Sequence, residues 1–458
     1  MQRETVNTIL TFLNKFETPG EKRTYCKDVY ERLTFFVATL PGVYVKSPIK
    51  LNKYFETMNS AGRSLEQHEK IKVDLLRKCP DTHAKYKSLF NSIWNAVERM
   101  DVRLLCKDND GVELNVIDEE IDKVCNSQLS NLSIKECDDI ENGMEIKNIL
   151  PTNEEPALHE NRKDVGSVID FQELLLLSLN FTLGTEDKPK PLDKHKLEES
   201  FKDFPEEKIP DFYLNLYKTR LLLDRYVIRV EKENGRNLYR IRLSEDEKPT
   251  EEERKLVQYQ SMLYVSTSAH LWLTPYLKWL MTYDNRKSLD AGPLLHKLKE
   301  IDNKLHELCP LNKMYYDKGV DRYWFWRLDY YLWERRKDYF QKEEQQETVE
   351  KYMFRANRSI EHLHPQNQSK NTEWDDNDVN SFGNLALISS SFNSQQGNDP
   401  VLVKFARVEN QARNNDLESL KMYKMYLDSK HIPEGWTNKT RDNHQKEMYG
   451  LLEKSYQS

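Results

Sequence analysis

This 458-residue sequence predicts a mainly α protein with a small β component (α+β): a multi-helical body, then a C-terminal piece of two short strands and a helix. Three observations carry that reading. Glycine is scarce, 14 residues in all, which argues against sandwiches, barrels and doubly wound sheets with their glycine-rich turns. Apolar residues recur at helical spacing over most of the chain. Aromatic residues reach 11% beside 32% charged, too much apolar area for a disordered chain.

Taken in order, residues 1–105 read as mainly helical. Ile9, Leu10, Phe12, Leu13 and Phe16 share a face, and Leu33, Phe35, Phe36 and Leu40 repeat the pattern. Pro41-Gly42 breaks it, Val43-Tyr44-Val45 suits a short strand, and Ser64 with Gln67 forms a capping box for a helix from Leu65 towards Leu76. Residues 106–165 read as an acidic linker or insertion without sustained periodicity: sixteen Asp or Glu stand against six Lys or Arg over 107–165. Such a run is either a solvated face or a DNA mimic covering a basic groove. Without it, the net charge of −7 becomes +3, so charge neither supports nor opposes nucleic-acid binding.

Residues 166–345 form a helical middle domain with a small hairpin. Helices are expected over Phe171–Leu183, Phe212–Tyr226, Leu256–Met281, Pro293–Cys309 and Tyr323–Phe340. The alternating runs Tyr226–Val230 and Leu238–Arg242 flank Asn234-Gly235, a strong hairpin signal. Tyr323, Trp324, Phe325, Trp326, Tyr330, Tyr331 and Trp333 are either core or a base-stacking row. The six cysteines contain no C-x-x-C pair and read as reduced thiols. Phe171–Leu183, the most apolar stretch, is shorter than the roughly 20 residues a membrane helix needs. No N-terminal signal and no phosphate loop stand out, so a soluble cytoplasmic protein is expected, with no membrane partner and no motif for nucleotide hydrolysis.

Residues 346–458 carry the chemistry. Ile360-Glu361-His362-Leu363-His364-Pro365 is an apolar-flanked run stopped by proline, which suits a strand end presenting a carboxylate and imidazoles. Period two sets His362 and His364 on one face and Glu361 on the other. Gly383-Asn384 opens a second apolar run, a hairpin partner for the first, and Asn393 follows it. Asp399 then caps and Pro400 begins a helix through Val401, Phe405 and Val408, with Lys404 and Arg407 one turn apart.

This order resembles the HNH (ββα-metal) nuclease fold. More narrowly, Ile360-Glu361-His362-x-x-Pro365-Gln366-Asn367, Gly383-Asn384-Leu385-x-Leu387, Asn393 and Lys404 resemble the HNH-like nuclease domain of GmrSD-type restriction systems, over about the last hundred residues. Phe55-Glu56-x-x-Asn59-x-x-Gly62-x-x-Leu65 resembles the closing part of the companion domain of those systems. Its D-G-Q-Q-R front motif is absent before residue 55, so a separate polypeptide is expected to supply it, or the chain lacks it, and nucleotide dependence is not carried over.

The resemblance implies a metal-dependent DNA endonuclease, a restriction or anti-phage defence component acting on foreign or modified DNA. It implies Mg²⁺ (or Mn²⁺) held by Glu361 and Asn393, His362 as general base, and Asn384 fixing the loop that orients His362. Glu361 stands where many relatives carry Asp. His364 is an additional ligand, a base, a phosphate contact or a structural histidine, and Lys404 and Arg407 are phosphate contacts or a solvated face. Two readings compete with the DNA endonuclease: a non-catalytic subunit that binds DNA or a partner through a vestigial nuclease fold, and an RNA-cleaving toxin. An oligomer is compatible with all three.

Overall fold

The structure is a computed structural model that describes residues 16, 18–32, 66–80, 86–104, 114–126, 164–185, 190–233, 236–244, 248–283, 289–366, 374–433 and 435–457. The expected strand at 43–45, the companion-domain motif at 55–65, the Ser64 cap, most of the acidic segment and the Asn234-Gly235 turn lie outside these residues. The chain divides into two compact units, Met1–Glu66 and Gln67–Ser458. In the first, helix α1 (Pro19–Arg32) opens on a reciprocal cap: Glu21 N–H donates to Thr18 Oγ1 and Thr18 N–H to the Glu21 carboxylate.

The second unit is built from helices around one apolar core. Its N-terminal part comprises α2 (Gln67–Lys78), α3 (Lys87–Val97), α4 (Leu114–Asn126), β1 (Asp164–Ser167), α5 (Phe171–Leu183), α6 (Leu197–Phe201) and α7 (Ile209–Tyr226). α7 is buried along almost its whole length and packs on α3, α4 and α5. Helix α4 lies within the stretch read as a linker. Leu114, Ile117, Ile121 and Val124 are buried at helical spacing, and Asp118 holds Arg225 of α7 at 2.7 Å.

α5 has the limits its sequence marks. Asp170 and Glu173 form a capping box, and Gly184 ends the helix at φ 69°, where a side chain would be strained. The hairpin forms from β2 (Arg229–Glu233) and β3 (Arg236–Arg240), with β1 pairing antiparallel to the other edge of β2. Its first strand starts later than expected, because Tyr226 still belongs to α7.

The helix expected over Leu256–Met281 is two helices, α8 (Glu251–Ser266) and α9 (Ala269–Thr282), separated at Thr267, whose backbone is extended (φ −131°, ψ 136°). After α10 (Ala291–Leu305) comes the aromatic helix α11 (Tyr323–Glu334), then α12 (Arg336–Tyr339) and α13 (Glu343–Glu350). Every aromatic side chain of α11 is buried, from Trp326 at 7% exposed to Tyr330 at 0%, so the row is core and offers no base-stacking face. It connects the body to the C-terminal layer, packing on α8, on α17 (Leu420–Ser429) and on α18 (Asn438–Lys454).

Between α13 and α17 lie β4 (Ser359–His362), α14 (Asp376–Asn380), β5 (Leu385–Ile388), α15 (Ser390–Gln396) and α16 (Val401–Arg413). β4 and β5 form a two-stranded antiparallel ribbon in the register Ser359↔Ile388 to His362↔Leu385. Pro400, rather than Asp399, is the residue flanking the start of α16. Among the described residues, no helix is long and apolar enough to cross a membrane.

Candidate active site

The ribbon presents its last residues at one end. Glu361 lies across from Ala386 and His362 from Leu385, and their side chains find different neighbours, as the period of a strand requires. Glu361 meets Lys404 of α16, whose Nζ also donates to the main-chain oxygen of His362 at 2.6 Å. Burial pushes the Glu361 carboxyl above its ordinary range and the Lys404 ammonium below its own, and the pairing opposes both shifts. Lys404 is therefore not on a phosphate-facing helix surface: it is 1% exposed, inside the site.

The His362 imidazole lies against the ring of Tyr316, with centroids 4.6 Å apart at 71°. Its Nε2 is 3.1 Å from Asn380 Oδ1, which also accepts from Gln366 Nε2 at 3.1 Å. Nε2 also lies 3.3 Å from Gln366 Nε2, an amide nitrogen that only donates, so the Asn380 contact suits a proton on His362 Nε2 and the Gln366 contact a lone pair there; together they hold the ring at Nε2 without fixing its tautomer. Burial, against the opposing pull of Asn380 and with the nearby Lys404 charge, holds the His362 pKa down to about 4. The imidazole is thus neutral at pH 7.

Asn384 is fully buried and spans two segments. Its Oδ1 accepts from His364 N–H (2.8 Å) and Trp436 Nε1 (3.2 Å), and its Nδ2 donates to the carbonyls of His364 (3.0 Å) and Val379 (2.9 Å). Asn384 does not touch the His362 ring; it holds the backbone beside both His362 and Asn380. The preceding Gly383 is required by close approach, since a Cβ there would lie 2.9 Å from the Arg441 carbonyl oxygen and from Gln445 Cβ of α18. Lys421, itself buried, donates to the carbonyls of Phe382 (2.7 Å) and Leu385 (2.5 Å) on either side.

The remaining expected site residues are placed separately. His364 stacks on Trp374 at 4.3 Å and 6°, and its Nε2 is buried without a hydrogen-bond partner among the described residues. Asn393 sits on α15, where only its main chain is hydrogen-bonded among the described residues. Arg407 donates to Asp399 at 2.6 Å on α16. Asn380 and Tyr316 were not singled out in the sequence: each reaches His362 from another segment, and no local spacing marks either.

A hard divalent cation takes oxygen donors and needs as few as one or two protein carboxylates. Glu361 and the Asn393 amide are donors of that kind, so each by itself suits Mg²⁺ or Mn²⁺ in its chemistry. No group of three or more His, Cys, Asp or Glu residues among the described ones could hold a metal, and Glu361 already carries Lys404.

Residues 310–451 match the family model of the GmrSD restriction endonucleases, C-terminal domain. Over these residues the chain is similar to the C-terminal domain of the GmrSD restriction endonucleases. Comparison with curated proteins and with solved structures gives no match. The matched region begins ahead of Tyr316 and α11, so it takes in the aromatic helix and the loop that packs on His362 together with the ribbon. The family is one of restriction endonucleases, for which DNA is the substrate.

Proposed function

We propose that this chain is a metal-dependent DNA endonuclease of the HNH-like kind, a restriction or anti-phage defence component in which His362 is the general base. The observation that carries the reading is the state of His362: neutral at pH 7, with its ring held at Nε2 by Asn380 and Gln366. A base must hold its lone pair in a fixed direction to take a proton from an attacking water. Asn380, Gln366 and the Tyr316 ring orient the imidazole, and Asn384 holds the segments that carry His364 and Asn380. Glu361 and the Asn393 carbonyl would hold Mg²⁺ or Mn²⁺, which, when bound, neutralises charge on the phosphate and on the leaving 3′ oxygen.

Purified chain incubated with unmodified plasmid and base-modified phage DNA, with RNA in parallel, tests this. DNA cutting that requires Mg²⁺ or Mn²⁺ and stops with chelator is expected. Cutting of RNA alone would move the substrate class. No cutting, with tight and salt-sensitive DNA binding, would favour a non-catalytic binding subunit, a reading to which the neutralised Glu361 gives some weight.

The pH dependence has a definite sign. With the His362 pKa near 4, the acid limb of a kcat/KM profile is expected at pH 4–5, well below the value near 6.5 of a free imidazole. The same residue links stability to pH. Between about pH 6.5 and about 4 the unfolded chain binds a proton that the folded chain refuses, so stability is complete above 6.5 and falls as the pH drops through that window, by roughly 3 kcal/mol in total. Denaturant unfolding at pH 7.5 and pH 5, in wild type and His362→Gln, checks it: the difference should shrink in the variant.

A further inference from the structure

The Lys404 side chain sits on the same oxygen donors a cation would use. Its Nζ bonds one Glu361 carboxylate oxygen and lies 2.6 Å from the His362 carbonyl, with Lys404 1% and Glu361 6% exposed. A carboxylate and a main-chain carbonyl are what hard cations select. A buried carboxylate left alone is strongly unfavourable, so a site folded before its metal arrives needs an internal counter-charge. Resting on the reading of Glu361 as a cation ligand, we propose that the Lys404 ammonium is a resident stand-in for the divalent ion, which it must yield to when the ion enters. The helix need not move for this. Phe405 and Val408 anchor α16 in the core, while the lysine stem is flexible and Asp399, paired with Arg407 nearby, offers another carboxylate.

The test uses the full chain and reads stability and Mn²⁺ binding, independently of cleavage. Lys404→Met keeps the stem volume and removes the charge, so Glu361 is left buried and alone. Its Tm without metal is expected to fall by about 5 °C or more. Mn²⁺ should then raise the Tm of Lys404→Met by more than it raises that of wild type, and should not shift the double variant Glu361→Gln with Lys404→Met. A Mn²⁺-induced shift in Lys404→Met no larger than in wild type overturns the proposal. Should that variant fail to fold, Lys404→Gln, which can still donate a hydrogen bond, takes its place in a Mn²⁺ titration by electron paramagnetic resonance. Binding about tenfold tighter than wild type or better supports the stand-in; equal or weaker binding overturns it. Tighter Mn²⁺ binding in a chain that cuts no DNA removes the nuclease reading and leaves this one in place, and unchanged binding in a chain that cuts does the reverse.

Discussion

Replacing His362 by alanine is expected to lower DNA cleavage by about 100- to 10,000-fold, the range general-base help supplies, with the loss in kcat rather than KM. The substitution also separates chemistry from folding. The ring's partner Asn380 Oδ1 keeps a hydrogen bond from Gln366 Nε2 at 3.1 Å, so removing the imidazole leaves no buried acceptor without a donor. What is lost is packing against Tyr316, which is itself 45% exposed and can relax into the space. Thermal unfolding of His362→Ala should therefore stay close to that of wild type while plasmid cutting nearly stops. Cutting at near wild-type rate would remove His362 from the reaction and leave the family match without the site proposed for it. Asn380→Ala extends the comparison. It frees the ring to turn, so a smaller loss accompanied by a shifted acid limb is expected from a residue that orients the base without touching substrate.

Where the sequence was informative, the structural information was local. Asp170, Glu173 and Gly184 mark both ends of α5 because caps satisfy the orphan backbone groups of that helix alone. Asn234-Gly235 signals the hairpin in the sequence for a similar reason, and β2 and β3 pair from Glu233↔Arg236 to Arg229↔Arg240. β1 carries no such signal. Asp164-Val165-Gly166-Ser167 has one apolar side chain, and its place is set by backbone pairing with Lys232 to Arg229, a partner more than sixty residues away. α4 did carry one, the stripe Leu114, Ile117, Ile121 and Val124, but the charge of the surrounding segment obscured it.

The same division runs through the site. Glu361, His362 and Asn384 stand in two short motifs and were legible as such. Tyr316 and Asn380 reach His362 only because the Met314–Tyr316 segment lies beside the end of α14, with Tyr316 N–H donating to the Asn380 carbonyl at 2.9 Å and Phe382 N–H to that of Met314 at 3.1 Å. Lys404 is the sharpest case. Its spacing to Arg407 describes a helix face, but whether that face meets solvent or Glu361 depends on how α16 packs over the ribbon, which helical periodicity does not encode.

Asn384→Ala is expected to cost the most stability of any single change at the ribbon. The side chain is 0% exposed and all of its hydrogen bonds are to protein: His364 N–H and Trp436 Nε1 would lose their acceptor, and the His364 and Val379 carbonyls their donor. A buried polar group left unsatisfied costs about 1–3 kcal/mol, and with partial relaxation and water entry the total should be about 3–5 kcal/mol. Activity should fall with it even where the protein remains folded, because His364 and Val379 flank His362 and Asn380 in the chain. Asn384→Asp sharpens the test, since it keeps the shape and the acceptor but turns the donor into an oxygen facing two carbonyls. Buried among acceptors, the new carboxyl should hold its proton to a higher pH than a free aspartic acid. Protonated, it can donate to one carbonyl; ionised, it repels both. Relative to wild type, Asn384→Asp should thus be less stable at pH 8 than at pH 5. Equal deficits at the two pH values, or Asn384→Ala unfolding at the wild-type midpoint, would show that the loop is held by Lys421 and the Gly383 contact with α18 instead.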